Sequence, residues 1–417
     1  MTPTQDKLFT MYKPNRVLSN DSIWESVVST GNLPPFSGQL IEFTSNLSTT
    51  ILQNPKARAF PELIALGFWL RAANINRIIS EFLDRKPKDA YYLPRGLSFH
   101  VAPANVDTIF VYSWILSLLC GNRNIVRISS RSSKQMQILL EFIDQTLQKD
   151  NHSDIASRLA VIRYEASEET TGAICRHTDV RVIWGGDETV HAIRKIPIPP
   201  TSIDLSFANK WSLSILDANH WNSISVLDQR EVAKKFAVDS FQFGQAACSS
   251  PRCLVWLNSE SQICDTNAFW EMVENEAQNL FDFSAVDYVN KLVASDLLAS
   301  EGLTIRAKTT DNRIFRLQVD SNNLNKFIHH EIQCDAGFFL ECSVHDLSEV
   351  LCQLDRKVQT ISSCGISQET WHAQLEAGLI QGIDRIVPFG KSLDFNPKWD
   401  GFDLLGSLVR IVTLNIP

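Results

Sequence analysis

One cysteine stands apart in this sequence. Gln242-Phe243-Gly244-Gln245-Ala246-Ala247-Cys248-Ser249-Ser250-Pro251 is a run of mostly small residues with a thiol near its centre. Small neighbours let a ligand approach the sulfur, and a tight connection between rigid elements is where nucleophiles are commonly presented. The chemistry open to Cys248 is covalent: the thiolate attacks an acyl carbon and holds the acyl group as a thioester. A buried, inert cysteine is an equally good account of this loop taken alone. A second feature suits phosphate. Gly185-Gly186 precedes a helix-like pattern, and paired glycines let backbone N–H groups approach an anion at the positive end of a helix. The pair is not a GxGxxG motif, and a plain strand-to-helix turn explains it as well.

The elements around these residues follow from hydrophobic periodicity. The spacing predicts a helix over Glu231 to Phe241 leading into the cysteine loop, and a strand over Leu254 to Leu257 leading out. Pro251 blocks continuation of the helix. Upstream, strands are expected at Leu97–Val101, Asn124–Ile128, Leu159–Ile162 and Val180–Trp184. Helices are expected between them, at Thr108–Leu119, over a face formed by Met136, Leu139, Leu140, Ile143 and Leu147, and at Glu168–Cys175. This alternation predicts an α/β fold with a doubly wound, mostly parallel sheet. Such sheets bind ligands at the carboxyl ends of their strands. The loops at Asn105, at Ser129 to Ser133 and at Gly185-Gly186 fall there. Residues 1–40 read as irregular. Residues 39–83 read as helical, with Leu63, Leu66, Trp69 and Leu70 on one face and Ile75, Ile78, Ile79 and Phe82 on the next.

Composition excludes several classes. The chain has 417 residues, a hydrophobic fraction of 44%, a charged fraction of 21% and a net charge of −8, which describes a globular protein of two or three packed units. The acidic balance and the lack of a Lys/Arg cluster argue against nucleic acid. The most apolar run, Ile109 to Cys120, is too short to span a bilayer. The N-terminus has no signal-peptide pattern, so a cytoplasmic location is expected. Nine cysteines without a CxxC pair argue against a zinc ribbon or a disulfide scaffold. No metal site is indicated, and His100, His152 and His177 stand singly.

Taken in order, the landmarks resemble the aldehyde dehydrogenase superfamily, and within it the acyl-CoA reductases that include the fatty-acid reductase subunit of bacterial bioluminescence. The segments that carry the likeness are His100-Val101-Ala102-Pro103-Ala104-Asn105-Val106, Leu119 to Arg127, Gln245 to Pro251, Asp384 to Gly390 and Trp399-Asp400-Gly401. The resemblance runs from about Tyr91 to Arg410. It implies a Rossmann-type cofactor domain (91–216), a catalytic domain with the nucleophilic cysteine (217–400), and a β-rich oligomerisation element (401–417) behind an N-terminal helical region (1–90). It further implies Cys248 as the acyl-accepting thiol and Asn105 as an oxyanion donor beside the Cys248 N–H. Cofactor contacts are implied at Arg127, Ser129, Ser130, Gly185, Gly186 and Glu331.

Two departures from the family pattern are informative. Arg127 stands where aldehyde dehydrogenases carry a lysine, and Ser129, Ser130 and Arg131 stand where NAD-preferring members place an acid. No carboxylate there would repel a 2′-phosphate and Arg131 could pair with one, so NADPH is expected over NADH. The nearest counterpart of the water-activating glutamate is Asp204, one methylene shorter and without the adjoining glycines, and it reads equally as a structural residue. The expected reaction is NADPH-dependent reduction of an acyl thioester, on coenzyme A or an acyl carrier, to the aldehyde. A homo-oligomer is expected, with room for a partner enzyme that supplies the acyl group. Aldehyde oxidation on the same fold, a cofactor-free acyltransferase or thioesterase, and a non-catalytic scaffold subunit remain open on the sequence.

Overall fold

The alternation that begins at Leu97 closes into a parallel sheet. The structure, a computed structural model, describes residues 23–103, 106–129, 133–257, 266–303, 306–308, 312–330, 334–378 and 380–416. In chain order the strands are β1 (Ala90–Pro94), β2 (Leu97–Val101), β3 (Arg123–Arg127), β4 (Leu159–Ile162), β5 (Val180–Trp184), β6 (Ile203–Phe207), β7 (Trp211–Asp217), β8 (Cys253–Leu257), β9 (Arg306–Lys308), β10 (Phe315–Gln318), β11 (Phe338–Val344), β12 (Val358–Cys364), β13 (Arg385–Pro388), β14 (Lys398–Trp399), β15 (Phe402–Asp403) and β16 (Val409–Thr413). They fall into two compact units, Met1–Ala208 with Phe395–Pro417, and Asn209–Asp394.

In the first unit the sheet order is β4-β3-β2-β5-β6, all parallel. The order reverses between β2 and β5, which makes their carboxyl ends the topological switch point where such sheets hold ligands. Strands β2 and β5 are buried along their whole length, as expected for strands covered on both faces. One face is covered by helix Ile109–Leu119, ten of whose eleven residues are buried, and by helix Lys134–Leu147. Helices Gly38–Gln53, Pro61–Trp69 and Ala72–Leu83 extend the same core. Leu63, Leu66 and Leu70, and Ile75, Ile78, Ile79 and Phe82, are the buried faces that the periodicity marks.

Residues 23–40 are more regular than the sequence suggests. A helix spans Ile23–Ser29, and the next begins at Gly38. The short first helix has only seven residues, too few for a clear period. The carboxyl end of the chain also differs from expectation. Leu404–Leu408 is a helix, and only Val409–Thr413 is a strand. That strand pairs antiparallel with β1, register Tyr91 to Val412. Strand β1 was not anticipated; its Tyr-Tyr-Leu-Pro sequence lies between polar turns.

The second unit holds a seven-stranded sheet in the order β13-β12-β7-β8-β11-β10-β9, parallel except for β9. Strand β7 belongs to this sheet, although the sequence reading placed residues up to 216 with the cofactor domain. Its periodicity is that of any buried strand, and only the pairing with β8 and β12 fixes its side. One face carries an aromatic core. Phe236 lies within 5.7 Å, centroid to centroid, of Phe269, Trp270, Phe339 and Phe389. It joins helix Val226–Phe241 to helix Thr266–Leu280 at the distances favoured for edge and tilted ring pairs.

Candidate active site

Helix Val226–Phe241 is capped by Ser225, whose hydroxyl accepts from Asp228 N. It runs back against the strands and delivers the chain to the amino ends of β7, β8 and β11. Gly244 and Gln245 then both take left-handed backbone, φ 57° and 66°. Glycine does so freely; a glutamine there is strained and must be held. Gln245 is fully buried. Its amide donates to Pro251 O (2.9 Å) and Phe338 O (3.1 Å), and its Oε1 accepts from Gly337 N (2.8 Å). One side chain thus ties both ends of the cysteine turn to the start of β11. Ala336 N adds a bond to Gly244 O (3.1 Å).

Cys248 sits half-buried in this turn and is not in a disulfide. Its carbonyl accepts from Ser212 Oγ at 2.6 Å, and Ser212 Oγ in turn accepts from Thr360 N. Arg252 N donates to Ser212 O. The backbone on either side of the thiol is therefore fixed to β7. Ser249 and Ser250 are buried beside it. Beneath the loop, the fully buried Lys291 donates to Arg313 O (2.7 Å) and Ala336 O (2.8 Å) and lies over the Phe283 and Tyr288 rings. Gly337, at φ 89°, packs so closely that a Cβ would stand 2.3 Å from Arg313 O. Burial pushes the Cys334 and Cys364 thiols up to about 11.

The residues expected to contact a cofactor belong to the first unit where they are described. Arg127 ends β3, with its guanidinium over the Tyr164 ring at 4.7 Å. Ser129 follows, and its carbonyl accepts from Arg163 Nε at 3.1 Å. Gly185 N donates to Phe207 O, and Gly186 caps helix Asp187–Arg194 with open space where a side chain would stand. The first turn of that helix already carries Asp187 and Glu188, which oppose an anion at this end. Strands β2 and β5 bring Ala102-Pro103 and Gly185-Gly186 to the switch point of the sheet. Asn105, Ser130, Arg131 and Glu331 lie outside the described residues.

Asp204 has another occupation. The β5–β6 register sets it beside Arg181, and the pair is bidentate, Nε to Oδ1 at 2.6 Å and Nη2 to Oδ2 at 2.7 Å. Arg181 is buried and also donates to Ile196 O. Both carboxylate oxygens are engaged with this cation, a structural use of the residue. His100, buried in β2, has Ser113 Oγ on Nδ1 and Asn124 Oδ1 on Nε2. Burial lowers it to about 4, so the ring is neutral. Among the described residues no group of three His, Cys, Asp or Glu side chains could hold a metal. No helix among them is long and apolar enough to cross a membrane.

Sequence reasoning singled out the thiol but not what holds it. Gln245 and Ser212 set its backbone, and Arg163, just after β4, donates to Ser129 O at the sheet's carboxyl edge. A long polar residue amid Gly and Ala, as at Gln245, was the available signal for the first. Nothing in a lone Ser or Arg beside a strand marks the others.

Two parallel-sheet units of this kind define an aldehyde-dehydrogenase-like α/β protein. The structure is similar to that of the NAD-dependent aldehyde dehydrogenase from Sinorhizobium meliloti, with a TM-score of 0.65 at 13% identity over 95% of this chain and 88% of that one. It is also similar to aldehyde dehydrogenase C of Pseudomonas syringae, a cysteine-to-alanine mutant complexed with NAD+ and octanal, with a TM-score of 0.59 at 12% identity over 93% and 83%. At these identities the likeness is one of fold. The sequence goes further: residues 71–411 match the acyl-CoA reductase (LuxC) family, and the chain belongs to that family of oxidoreductases. Among relatives, the long-chain acyl-protein thioester reductase of Photorhabdus laumondii is 26% identical over 82% of this chain and 68% of its own length. That of Vibrio harveyi is 25% identical over 78% and 65%. Other matched relatives are covered over less than half their length.

Proposed function

We propose that this protein reduces a long-chain acyl thioester to the aldehyde with NADPH, through an acyl group held on Cys248. The observation that carries the reading is the cysteine turn. A half-buried thiol lies in a backbone that Gln245 and Ser212 lock from both sides. Family membership supplies the reaction class, and the names of the relatives suggest a protein-borne thioester as the donor.

The residues fit a nicotinamide dinucleotide. Among the described residues, the buried Arg127 Nε and Arg163 Nη2 find no hydrogen-bond partner, and Gly186 leaves open space at the switch point. Such a cofactor, when bound, supplies the hydride. In the proposed sequence the Cys248 thiolate attacks the thioester carbonyl while the Cys248 N–H, with the Asn105 amide as second donor, takes the oxyanion. The carrier thiolate leaves. After reduction the Cys248 sulfur is expelled from the thiohemiacetal and the aldehyde departs. With Asp204 held by Arg181, a carboxylate base for hydrolysing the acyl-enzyme is not supplied from that position, which favours reduction over release of the acid.

We assign the ribbon of β1 and β16 to self-association. Tyr91 and Ile411 are more than half exposed on it, and an isolated two-stranded ribbon is marginal in water. A cytoplasmic location is the corresponding expectation. The test of function is NADPH consumption on adding acyl thioesters, on coenzyme A and on protein, with wild type beside Cys248→Ala. Consumption matched by aldehyde and lost in the variant is expected. NADP+ reduction by free aldehydes, with no thioester reduction, would replace this reading by aldehyde oxidation.

A further inference from the structure

The inward face of helix Ala285–Ser300 is made by Lys291, Ala294 and Leu298, at the three- and four-residue spacing of a core stripe. A lysine in such a stripe contradicts its own pattern, and on the same helix Val286, Val289 and Val293 are exposed. Burying an ammonium is costly unless it is well bonded, and places where a sequence breaks its pattern are where a special role is expected.

The bonds of Lys291 show what that role is. Its Nζ donates to Arg313 O at 2.7 Å and to Ala336 O at 2.8 Å. Ala336 O and Gly337 N are the two ends of one peptide unit. The N–H end of that unit donates to Gln245 Oε1 at 2.8 Å. The far end of the Gln245 amide donates in turn to Pro251 O at 2.9 Å and Phe338 O at 3.1 Å. A continuous row of hydrogen-bonded amides therefore runs from a buried ammonium to the residue that closes the cysteine turn. Bonds in such a row polarise one another, and a charged donor makes the first of them strong. The peptide in the middle is also conformationally uncommon, with Ala336 at φ 55° and Gly337 at φ 89°. A left-handed alanine is strained and must be held. It faces the left-handed Gly244-Gln245 pair, and Ala336 N donates to Gly244 O at 3.1 Å. Two left-handed pairs are thus clasped together, and Lys291 holds one of them.

Building on the reductase reading above, we propose that Lys291 is a positioning residue for acyl transfer. Its charge, relayed through the Ala336–Gly337 peptide and Gln245, fixes the backbone that presents Cys248. Lys291 is fully buried and does not meet the substrate; it acts only through the peptide it holds. A neutral side chain of the same length leaves Ala336 O and Arg313 O without this donor. It also weakens the Gly337 N–H as a donor and loosens Gln245 in its left-handed conformation.

The test uses Lys291→Met, which keeps the length and loses charge and donors, and Lys291→Gln, which keeps a neutral donor, both in the full chain. Amide hydrogen exchange, resolved by peptide, reports on the turn itself. In Lys291→Met, exchange over residues 242–252 and 334–340 should quicken by roughly tenfold to a hundredfold, the loss of one charge-assisted bond, while β7 and β8 keep wild-type protection. Acylation of Cys248 by a long-chain acyl-CoA, followed as a burst, reports on function. Its rate constant should fall by up to about a hundredfold, the effect of a misplaced reacting group, with the burst amplitude per folded chain unchanged. Lys291→Gln should lie between wild type and Lys291→Met on both measures. An unchanged acylation rate constant would overturn the proposal, whether exchange quickens evenly over the second unit or only in the turn. So would wild-type exchange in the turn of Lys291→Met. If no thioester acylates the wild type, the reductase reading fails, and exchange still decides whether Lys291 holds the turn. Lys291→Gln carries the test should Lys291→Met be unstable.

Discussion

Gln245 offers a test of how the nucleophile is held. Gln245→Ala removes three hydrogen bonds and leaves Pro251 O, Phe338 O and Gly337 N without that partner in a buried setting. A buried group left unmade costs about 1–3 kcal/mol. Water entering the vacated space recovers part of this, so a net loss of roughly 3 kcal/mol is expected. Gln245 also carries a left-handed backbone at φ 66°. Glycine relieves that strain, so Gln245→Gly should be more stable than Gln245→Ala by about 1 kcal/mol, the reverse of the usual order. Gln245→Glu should be worse than either, since a carboxylate oxygen would face two carbonyls. Urea unfolding followed by tryptophan fluorescence reports on this unit through buried Trp256 and Trp270. Thioester reduction should fall in all three variants. A Gln245→Ala protein within about 0.5 kcal/mol of wild type, the range of an ordinary surface change, would refute this account of the loop. Alanine proving more stable than glycine would refute the backbone part alone.

Cys248→Ala should abolish acyl transfer, and Asn105→Ala should lower turnover by on the order of 100-fold, the usual effect of losing one oxyanion donor; stopped-flow measurement of the acyl-enzyme burst checks both. His100 gives a pH signature. Its folded pKa is lowered to about 4 from 6.5, so its neutral ring contributes stability above pH 6.5, and that contribution, roughly 3 kcal/mol, is lost as pH falls towards 4. His100→Gln should flatten that part of the stability profile. Asp239 has the opposite sign. Burial raises it to about 6 from 3.8 despite bonds from Gly390 N and Ser392 N, so its contribution is complete below pH 3.8 and lost as pH rises through 6. Asp239→Asn should remove this trend in urea titrations between pH 4 and 7. Ile411→Lys with Tyr91→Lys should shift the protein to a smaller species in light scattering; an unchanged mass would remove the ribbon from the self-association surface.

The α/β character was legible because its signals are local. Strands such as Val180–Trp184 are continuous apolar runs and helices such as Lys134–Leu147 repeat at 3.6 residues, so both stand out in the sequence. Sheet membership is not local. Trp211–Asp217 reads the same whichever sheet it joins, and pairing with β8 and β12 decides the matter only across forty to one hundred and fifty residues. The thiol was visible for its small neighbours, while its support was not. Ser212 reaches the Cys248 carbonyl from a strand thirty-six residues earlier. Asp204 looked like a displaced base until cross-strand register put Arg181 beside it.

The same contrast orders the chemistry of the molecule. Buried charges that the fold needs for itself are closed: Arg181 by Asp204, Lys291 by two carbonyls and two rings. Closure removes them from catalysis, because a group whose valences are filled has nothing left to offer a substrate. Around Cys248 the backbone is bonded on both sides, so the loop need not reorganise as charge develops on a bound acyl oxygen. A fixed frame around a partly exposed thiol is thus a different device from the closed charges of the core.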